Sequence, residues 1–208
     1  MKNTTKVIYD NLFQRYPDLV CCKDQILLTF DLLVEAFKHN KKLLICGNGG
    51  SASDAEHMVA ELLKNFKKKR KLKEKLAKSL EKDPELLNGI EQGYPAFSLV
   101  SQTSFISAYN NDHNPDFVYA QQVSAYGQEG DILLAISTSG NSSNCVYAVK
   151  VANAIGMKTI GLTGAFESKI NDIADVTIKV PEVETFKVQE RHLPTFHCIC
   201  AMIEEELD

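Results

Sequence analysis

Short apolar runs alternate along this chain with longer stretches of helical periodicity, and this alternation most limits how the chain can fold. The runs predicted to be strands are Lys42–Cys46, Pro95–Val100, Asp131–Ile136, Lys158–Thr163 and Val176–Val180. They show little apolar–polar alternation, which is typical of strands buried on both faces of a sheet. Strands that alternate with helices form a parallel sheet covered by helices on both sides. We therefore predict an α/β, three-layer sandwich with a five-stranded parallel sheet.

The first forty residues are predicted to be helical. Apolar side chains recur there at steps of three and four residues, as an amphipathic helix requires, at Val20, Ile26, Leu27, Phe30, Leu33, Val34 and Phe37. We expect a short helix over residues 4–13 and a longer one from about residue 17 to residue 40. Further helices are predicted from Ser53, from Asn144 to Ile155, and from Thr185 to Glu206. The apolar pattern of the helix from Ser53 extends through Leu72, Leu76 and Leu80.

The size and composition of the chain favour one globular domain. It has 208 residues, of which 44% are hydrophobic and 24% are charged, so a disordered chain is excluded. No run of about 18 apolar residues is present to span a bilayer, and the N-terminal residues do not resemble a signal peptide. We expect a cytoplasmic protein with no membrane partner, whose six cysteines are mainly small core residues.

One segment carries a charge opposite to that of the rest of the chain. Ten Lys or Arg residues and only two acids lie between Lys64 and Lys82, although the whole chain has a net charge of −4. The remaining residues are therefore acidic, and a uniformly basic surface for nucleic acid is absent. Binding of anions or nucleic acid by this segment is conceivable, but a solvated helix face is the favoured interpretation.

Two loops follow predicted strands and lie where ligands bind in parallel sheets, at the carboxyl ends of the strands. Ser137–Ser142 reads STSGNS before a helix, so its hydroxyls and the free N–H groups of the helix favour a phosphate. A serine-rich turn with a helix cap is the alternative. Gly47–Ala52 fits G-x-G-x-x-A, a loose dinucleotide fingerprint. The acid that this fingerprint requires about twenty residues later would fall in the lysine run, so a nicotinamide cofactor is disfavoured.

Two predicted helices carry candidate catalytic or metal-binding side chains. His57 and Glu61 are four residues apart and therefore share a helix face near the first loop. Gln189, His192 and His197 lie on the last helix. Together His57, Glu61 and His197 would suit a zinc site, with Gln189 as a weaker oxygen donor. The alternatives are an exposed His–Glu salt bridge and a buried, hydrogen-bonded core histidine.

Three motifs in this order resemble the sugar isomerase (SIS) domain, and within it the bacterial phosphoheptose isomerases. They are CGNGGSASDAEHMVAELL from residue 46, GDILLAISTSGNSSN from residue 130 and VQERHLPTFH from residue 188. The resemblance covers nearly all of the chain except about residues 67–92. It implies a single flavodoxin-like SIS domain over residues 1–208. Residues 1–40 would form a helical arm used in oligomerisation, and residues 67–92 would be a basic helical insertion.

The resemblance implies an aldose–ketose isomerase. Its members interconvert sedoheptulose 7-phosphate and D-glycero-D-manno-heptose 7-phosphate through an enediol or enediolate. This reaction is the first step of heptose biosynthesis for lipopolysaccharide and other surface glycans. The family also implies a homotetramer with active sites between subunits, and one zinc ion per subunit.

The motifs also imply roles for individual residues. Sugar contacts are implied for Asn48, Ser51, Asp112 and Gln189, and phosphate contacts for Ser137, Thr138, Ser139 and Ser142. The positions of His57, Glu61, Gln189 and His197 match the metal ligands. Glu61 and His197 also match the catalytic acid–base pair, with Glu61 favoured as the carbon base, although the two roles can be exchanged.

Three departures from the family pattern leave other functions open. Residues 67–92 intervene before the second strand, Pro194 is expected to kink the last helix, and Phe186 stands where some relatives carry a sugar-contacting acid. An isomerase for another sugar phosphate is therefore an alternative. A second alternative is a non-catalytic SIS protein that binds a replication initiator, although all four metal-ligand positions argue against it.

Overall fold

The computed structural model describes all 208 residues, and its elements alternate as the sequence predicts. The five strands are β1 (Leu43–Gly47), β2 (Ala96–Ser98), β3 (Ile132–Ile136), β4 (Lys158–Thr163) and β5 (Val176–Lys179). The α-helices are α1 (Asn3–Arg15), α2 (Lys23–Lys38), α3 (Gly50–Leu63), α4 (Glu74–Ser79), α5 (Pro84–Gly89), α6 (Thr103–Asp112), α7 (Val118–Tyr126), α8 (Ser143–Ile155), α9 (Lys169–Ile173) and α10 (Thr185–Leu207). Two short 3₁₀-helices cover Pro17–Cys22 and Pro115–Phe117.

All strand pairs are parallel, and the sheet order is β2-β1-β3-β4-β5. This is the order of flavodoxin-like folds, so the predicted five-stranded parallel sheet is confirmed. The direction in which strands are added changes between β1 and β3. The loops after these two strands diverge to opposite faces of the sheet and leave a crevice at its carboxyl edge.

Each strand contributes to two hydrophobic cores, because successive side chains point to opposite faces. In β1, Leu43 and Ile45 join the core that includes residues of α2, α3 and α10. Leu44 and Cys46 join the core that includes residues of α7 and α8. Both faces of the sheet are thus covered, which explains why the strand sequences lack alternation.

The N-terminal helices are already covered within the chain. α1 and α2 both pack against α10, and residues such as Ile26, Phe30 and Leu33 are fully buried. Pro17 starts a separate 3₁₀ turn, and α2 begins only at Lys23. The main apolar face of the arm is therefore buried within the chain, and its use in oligomerisation stays a prediction.

The expected extension of α3 through Leu80 is wrong. α3 ends at Leu63, and the next residue is extended, with φ −122° and ψ 174°. Only two six-residue helices, α4 and α5, follow before β2, and neither has a buried residue. Leu76, expected in a packed apolar stripe, is 43% exposed. The basic insertion is helical only in these two short helices, because hydrogen bonds to distant residues hold its first part in a non-helical conformation, as described below.

One further difference concerns helices. The sequence interpretation missed α6 and α7, whose mixed polar and aromatic residues give a weak apolar periodicity. α10 is one helix through Pro194, and the kink expected there stays a prediction. No helix combines the length and apolar character needed to cross a membrane.

Candidate active site

The loop between β1 and α3 is a tight turn fixed by glycines. Gly49 has a φ of +56°, which favours glycine. A side chain at Gly47 would place Cβ 2.5 Å from the Ser51 carbonyl oxygen. The Ser51 N–H donates to the Asn48 carbonyl (3.0 Å). This turn leaves Asn48 exposed at the crevice and buries Ser51 at the start of α3.

Asn48 is held by a reciprocal amide pair. Its Nδ2 donates to Asn144 Oδ1 (2.9 Å), and Asn144 Nδ2 donates to Asn48 Oδ1 (2.9 Å). The Tyr119 hydroxyl donates to the Gly47 carbonyl (2.6 Å) on the buried side of the loop. The loop after β1 is therefore joined to the N-terminus of α8, and its amide side chain is orientated before any ligand binds.

The serine-rich loop after β3 surrounds the N-terminus of α8. The Ser137 and Ser142 hydroxyls are 3.1 Å apart, and Ser139 Oγ accepts from the Asn141 N–H (3.2 Å). Gly140 has a φ of +64°, and a Cβ there would lie 2.0 Å from Ser168 Oγ. Hydroxyls and the first N–H groups of a 13-residue helix are thus brought together without any acidic side chain in the loop. Such an arrangement suits a phosphate.

Side chains from α3, which starts from the loop after β1, converge with a side chain from α10. His57 Nε2 is 3.2 Å from Glu61 Oε1 and 3.3 Å from His197 Nε2. One ligand atom from each of the three residues lies within 4.8 Å of the other two. His57 and His197 are 140 residues apart in sequence, so only tertiary packing brings them together. We call His57, Glu61 and His197 the triad.

Aromatic rings surround the imidazoles of the triad. The Phe196 ring lies edge-on to His57 (5.5 Å between centroids), and the Phe66 ring lies beside His197 (5.3 Å). Burial lowers the pKa of His197, and the nearby His57 lowers it further, against the opposing effect of Glu61. The imidazole of His197 is therefore neutral at pH 7, when it can accept a proton or donate a lone pair to a metal.

The donor set of the triad fits a zinc ion. Zinc binds imidazole nitrogens at about 2.0–2.1 Å with tetrahedral geometry, which separates neighbouring ligand atoms by about 3.3 Å. The His57–His197 and His57–Glu61 separations of 3.3 and 3.2 Å are close to this value. Two imidazoles and one carboxylate also leave a coordination position for a substrate oxygen, as in catalytic zinc sites.

A second His–Glu pair shows what an ordinary surface pair looks like in this chain. Glu35 and His39 on α2 have the same four-residue spacing and the same 3.2 Å separation as Glu61 and His57. Both members of that pair are well exposed, whereas the Glu61 side chain is only 13% exposed. The pair on α3 differs because a third ligand from α10 meets it.

Two predicted site residues are not brought to the triad. The Gln189 amide lies against Gly50, where an added Cβ would be 2.5 Å from its Nε2. Eight residues of continuous helix, about 12 Å, separate Gln189 from His197. Asp112 is exposed at the end of α6, and Asn111 Nδ2 donates to its carboxylate (2.8 Å). Gln189 thus borders the first loop, and a role for Gln189 in metal binding or for Asp112 in sugar binding stays a prediction.

The sequence interpretation missed several residues around the site. Asn144 lies inside the second motif, directly after the serine-rich loop, and its position at a helix start was a usable signal. Asp54 lies one turn before His57, and burial raises its pKa to about 6. Nothing in the sequence indicated that Phe66 lies near the site. It precedes the lysine-rich run, and its ring contacts His197, a residue 131 positions later.

Comparisons with known proteins identify the family and support the fold. The SIS domain family model matches residues 21–164. A phosphoheptose isomerase from Aliarcobacter butzleri is 40% identical over 176 residues, covering 85% of this chain and 82% of that protein. The structure of phosphoheptose isomerase GmhA from Neisseria gonorrhoeae has a TM-score of 0.72 and 31% identity, with 94% of this chain and 98% of that chain covered. A phosphoheptose isomerase from Francisella tularensis has a TM-score of 0.77 and 28% identity, with 99% and 100% covered.

Proposed function

Because the chain belongs to the SIS-domain family and, within it, to the phosphoheptose isomerases, we propose that it isomerises sedoheptulose 7-phosphate to D-glycero-D-manno-heptose 7-phosphate. The observation that carries this proposal is the convergence of His57, Glu61 and His197, two of which lie on the helix that starts from the loop after β1. That loop is joined to the start of α8 and its serine-rich loop by the Asn48–Asn144 amide pair. A phosphate cradle and an acid–base pair are what an aldose–ketose isomerase of sugar phosphates requires.

Substrate binding begins at the serine-rich loop. The hydroxyls of Ser137, Thr138, Ser139 and Ser142 and the N-terminus of α8 bind the 7-phosphate. Asn48 and Ser51 contact the sugar near its reacting end, with Asn48 orientated by its amide pair with Asn144. Binding at both ends of the sugar fixes the reacting carbons relative to the side chains of α3 and α10.

Proton transfer is assigned to Glu61 and His197. The Glu61 carboxylate removes the proton from the carbon beside the carbonyl and returns it to the neighbouring carbon after the enediol forms. His197 exchanges protons with the two oxygens, which its neutral imidazole allows. The same residues also permit a variant of this mechanism in which Glu61 and His197 exchange these two roles.

A zinc ion is the cofactor that the triad suits. His57, Glu61 and His197 would hold it, and Gln189 is a further ligand only if its side chain leaves Gly50. When bound, the ion polarises the substrate carbonyl and stabilises negative charge on its oxygen. The residues of the chain itself hold the phosphate and orientate the acid–base pair.

The biological setting follows from the reaction. The product would enter heptose biosynthesis for lipopolysaccharide or other surface glycans, and the enzyme would act in the cytoplasm as a homotetramer. Exposed apolar side chains on the N-terminal helices, including Val7 and Leu28, support self-association.

The first prediction concerns turnover of sedoheptulose 7-phosphate by the purified protein. Glu61→Gln should lower kcat at least about 1000-fold and His197→Ala at least about 100-fold, because each removes a proton-transfer group. The measurement is formation of the aldose 7-phosphate, with added zinc and with a chelator in parallel reactions. Turnover that is lost in the chelator and restored by added zinc supports zinc as the cofactor.

The matched controls are Glu35→Gln and His39→Ala. They remove a pair of the same spacing and separation that no third ligand meets, so both should keep wild-type turnover. A folded Glu61→Gln variant with wild-type kcat would reject the site. If the folded, zinc-supplemented wild type does not convert this substrate, a panel of pentose and hexosamine phosphates tests the alternative that Phe186 leaves open.

A further inference from the structure

We infer that Arg70 and Glu204 are positioning residues of the isomerase site, because their buried ion pair joins the two helices that carry the triad. The inference rests on the proposed function and extends it to residues outside the crevice. Arg70 Nε donates to Glu204 Oε1 (2.9 Å), and the two side chains are 0% and 2% exposed. We call this pair the Arg70–Glu204 clamp.

The arginine side of the clamp fixes the end of α3. Arg70 Nη2 donates to the Glu61 carbonyl (2.8 Å) and Nη1 donates to the Leu62 carbonyl (2.6 Å). The guanidinium also stacks over the Tyr94 ring, 4.6 Å from its centroid. A cation at the C-terminus of a helix satisfies free carbonyls and complements the helix dipole. The main chain of the proposed carbon base is thus held directly by Arg70.

The glutamate side of the clamp fixes the segment after α3. The Glu204 carboxylate accepts the N–H groups of Phe66 (2.9 Å), Lys67 (2.7 Å) and Lys68 (3.2 Å) in addition to Arg70 Nε. N–H groups that donate to Glu204 cannot donate to the carbonyls four residues earlier, as a continuing helix would need. For this reason α3 does not continue into the basic segment. The bonds to Glu204 also set the position of Phe66, whose ring packs beside His197.

The number of directional bonds argues for positioning. A buried ion pair contributes little net stability compared with a well-packed apolar pair, because both charges lose their hydration. Here both oxygens of Glu204 accept backbone N–H groups of residues 66–68. Both Nη atoms of Arg70 donate to backbone carbonyls of α3, while its Nε joins the two side chains of the clamp. The clamp therefore sets where Glu61 and His197 stand relative to each other.

The test compares Arg70→Met, Arg70→Lys and Phe66→Leu with the wild type. We expect Arg70→Met to lower kcat about 10- to 100-fold, as loss of a residue that orientates site ligands does, and to leave KM within about threefold, because the phosphate loop is untouched. Arg70→Lys should recover part of the loss. Phe66→Leu keeps the backbone bonds to Glu204, so it should fold and lower kcat by a smaller factor.

The matched control is Asp131→Asn. Asp131 is a buried acid that pairs with Lys42 and accepts the Gln128 N–H at the opposite edge of the sheet. Asp131→Asn should lower Tm without lowering kcat. If Asp131→Asn and Arg70→Met lose kcat equally, or if Arg70→Met keeps wild-type kcat, the inference is overturned.

A readout independent of turnover separates this inference from the proposed function. The ring ¹⁵N signals of His57 and His197 should shift in Arg70→Met and, less, in Arg70→Lys, and stay unchanged in Asp131→Asn. If the wild type does not isomerise sedoheptulose 7-phosphate, the proposed function fails and these signals alone decide the clamp. Unmoved ring signals in both variants would reject it. If Arg70→Met does not fold, Arg70→Lys, which keeps the charge but loses the paired bonds to α3, gives the decision.

Discussion

His192 and His197 lie on the same helix but have different environments. His197 is partly exposed and meets His57, whereas His192 is 0% exposed. Burial lowers the pKa of His192 from 6.5 to about 4. It is therefore neutral in the folded protein at pH 7. Protonation of His192 favours the unfolded chain, in which the imidazole is exposed to water.

The residue-scale prediction is a loss of stability in mild acid. The unfolded chain binds a proton at His192 near pH 6.5 and the folded chain only near pH 4, so protons favour unfolding between these values. This contribution to the free energy of unfolding is complete above pH 6.5 and lost progressively down to pH 4. By pH 5 the loss is about 2 kcal/mol.

Urea unfolding at pH 7 and pH 5 measures this effect. His192→Leu should show a smaller decrease in the free energy of unfolding between the two pH values than the wild type. His113→Leu, which removes an exposed histidine, should keep the wild-type decrease. An equal decrease in wild type and His192→Leu would mean that other groups cause the acid sensitivity.

At the scale of elements, the loop before α8 depends on one glycine. Gly140 has a positive φ, and its carbonyl accepts the Ile170 N–H (3.1 Å), which ties the loop to α9. Any side chain at Gly140 would collide with Ser168. Both the backbone conformation and the close approach therefore require glycine at this point of the serine-rich loop.

The element-scale prediction is that Gly140→Ala weakens phosphate binding. The loop must move away from Ser168, which displaces the hydroxyls and N–H groups, so KM for the sugar phosphate should rise at least about tenfold. Steady-state kinetics on the folded variant measures this change, and inhibition by inorganic phosphate should weaken with it.

Gly156→Ala is the control on the same helix. Gly156 also has a positive φ (+88°), but it ends α8 at the opposite end, where an added Cβ would lie 3.3 Å from Glu129 Cγ. It should destabilise the protein by about 1–2 kcal/mol through backbone strain and leave KM unchanged. A rise in KM in both variants would show that the effect is general loosening of α8.

At the scale of the whole molecule, exposed apolar surface remains after the two cores are filled. Val7 on α1 is 67% exposed, although the opposite side of α1 packs on α10. Val7 also lines a cavity of about 570 Å³ between α1 and α10, whose wall includes His197. A partner seated on α1 would therefore lie close to the triad.

The whole-molecule prediction is a homotetramer of about 93 kDa, from a chain of 23.2 kDa. Light scattering after gel filtration measures the mass. Val7→Glu should reduce the mass and the specific activity together, because it places a charge in the apolar contact. Leu86→Glu, at an exposed apolar position in α5, should change neither. A wild-type mass of one chain at high protein concentration would reject the assembly.

The sequence by itself determined the layers of the fold and the two ligand loops. Buried strands appear as apolar runs, and the helices of the main body have a clear amphipathic period, since both signals depend on neighbours a few residues away. The serine-rich loop was equally visible, because the serines, the glycine and the helix start of residues 137–142 are contiguous. His57 and Glu61 share a helix face for the same local reason.

Only the tertiary structure decided the rest. It brought His197 to His57 across 140 residues, left Gln189 against Gly50, and ended α3 at Leu63 despite a continuing apolar pattern. The end of α3 depends on Glu204, a residue 134 positions after Arg70, which no local pattern reveals. Helix propensity contributes only a few tenths of a kcal/mol per residue. A fully bonded buried carboxylate and guanidinium outweigh that preference, so long-range hydrogen bonds fixed the geometry of the site.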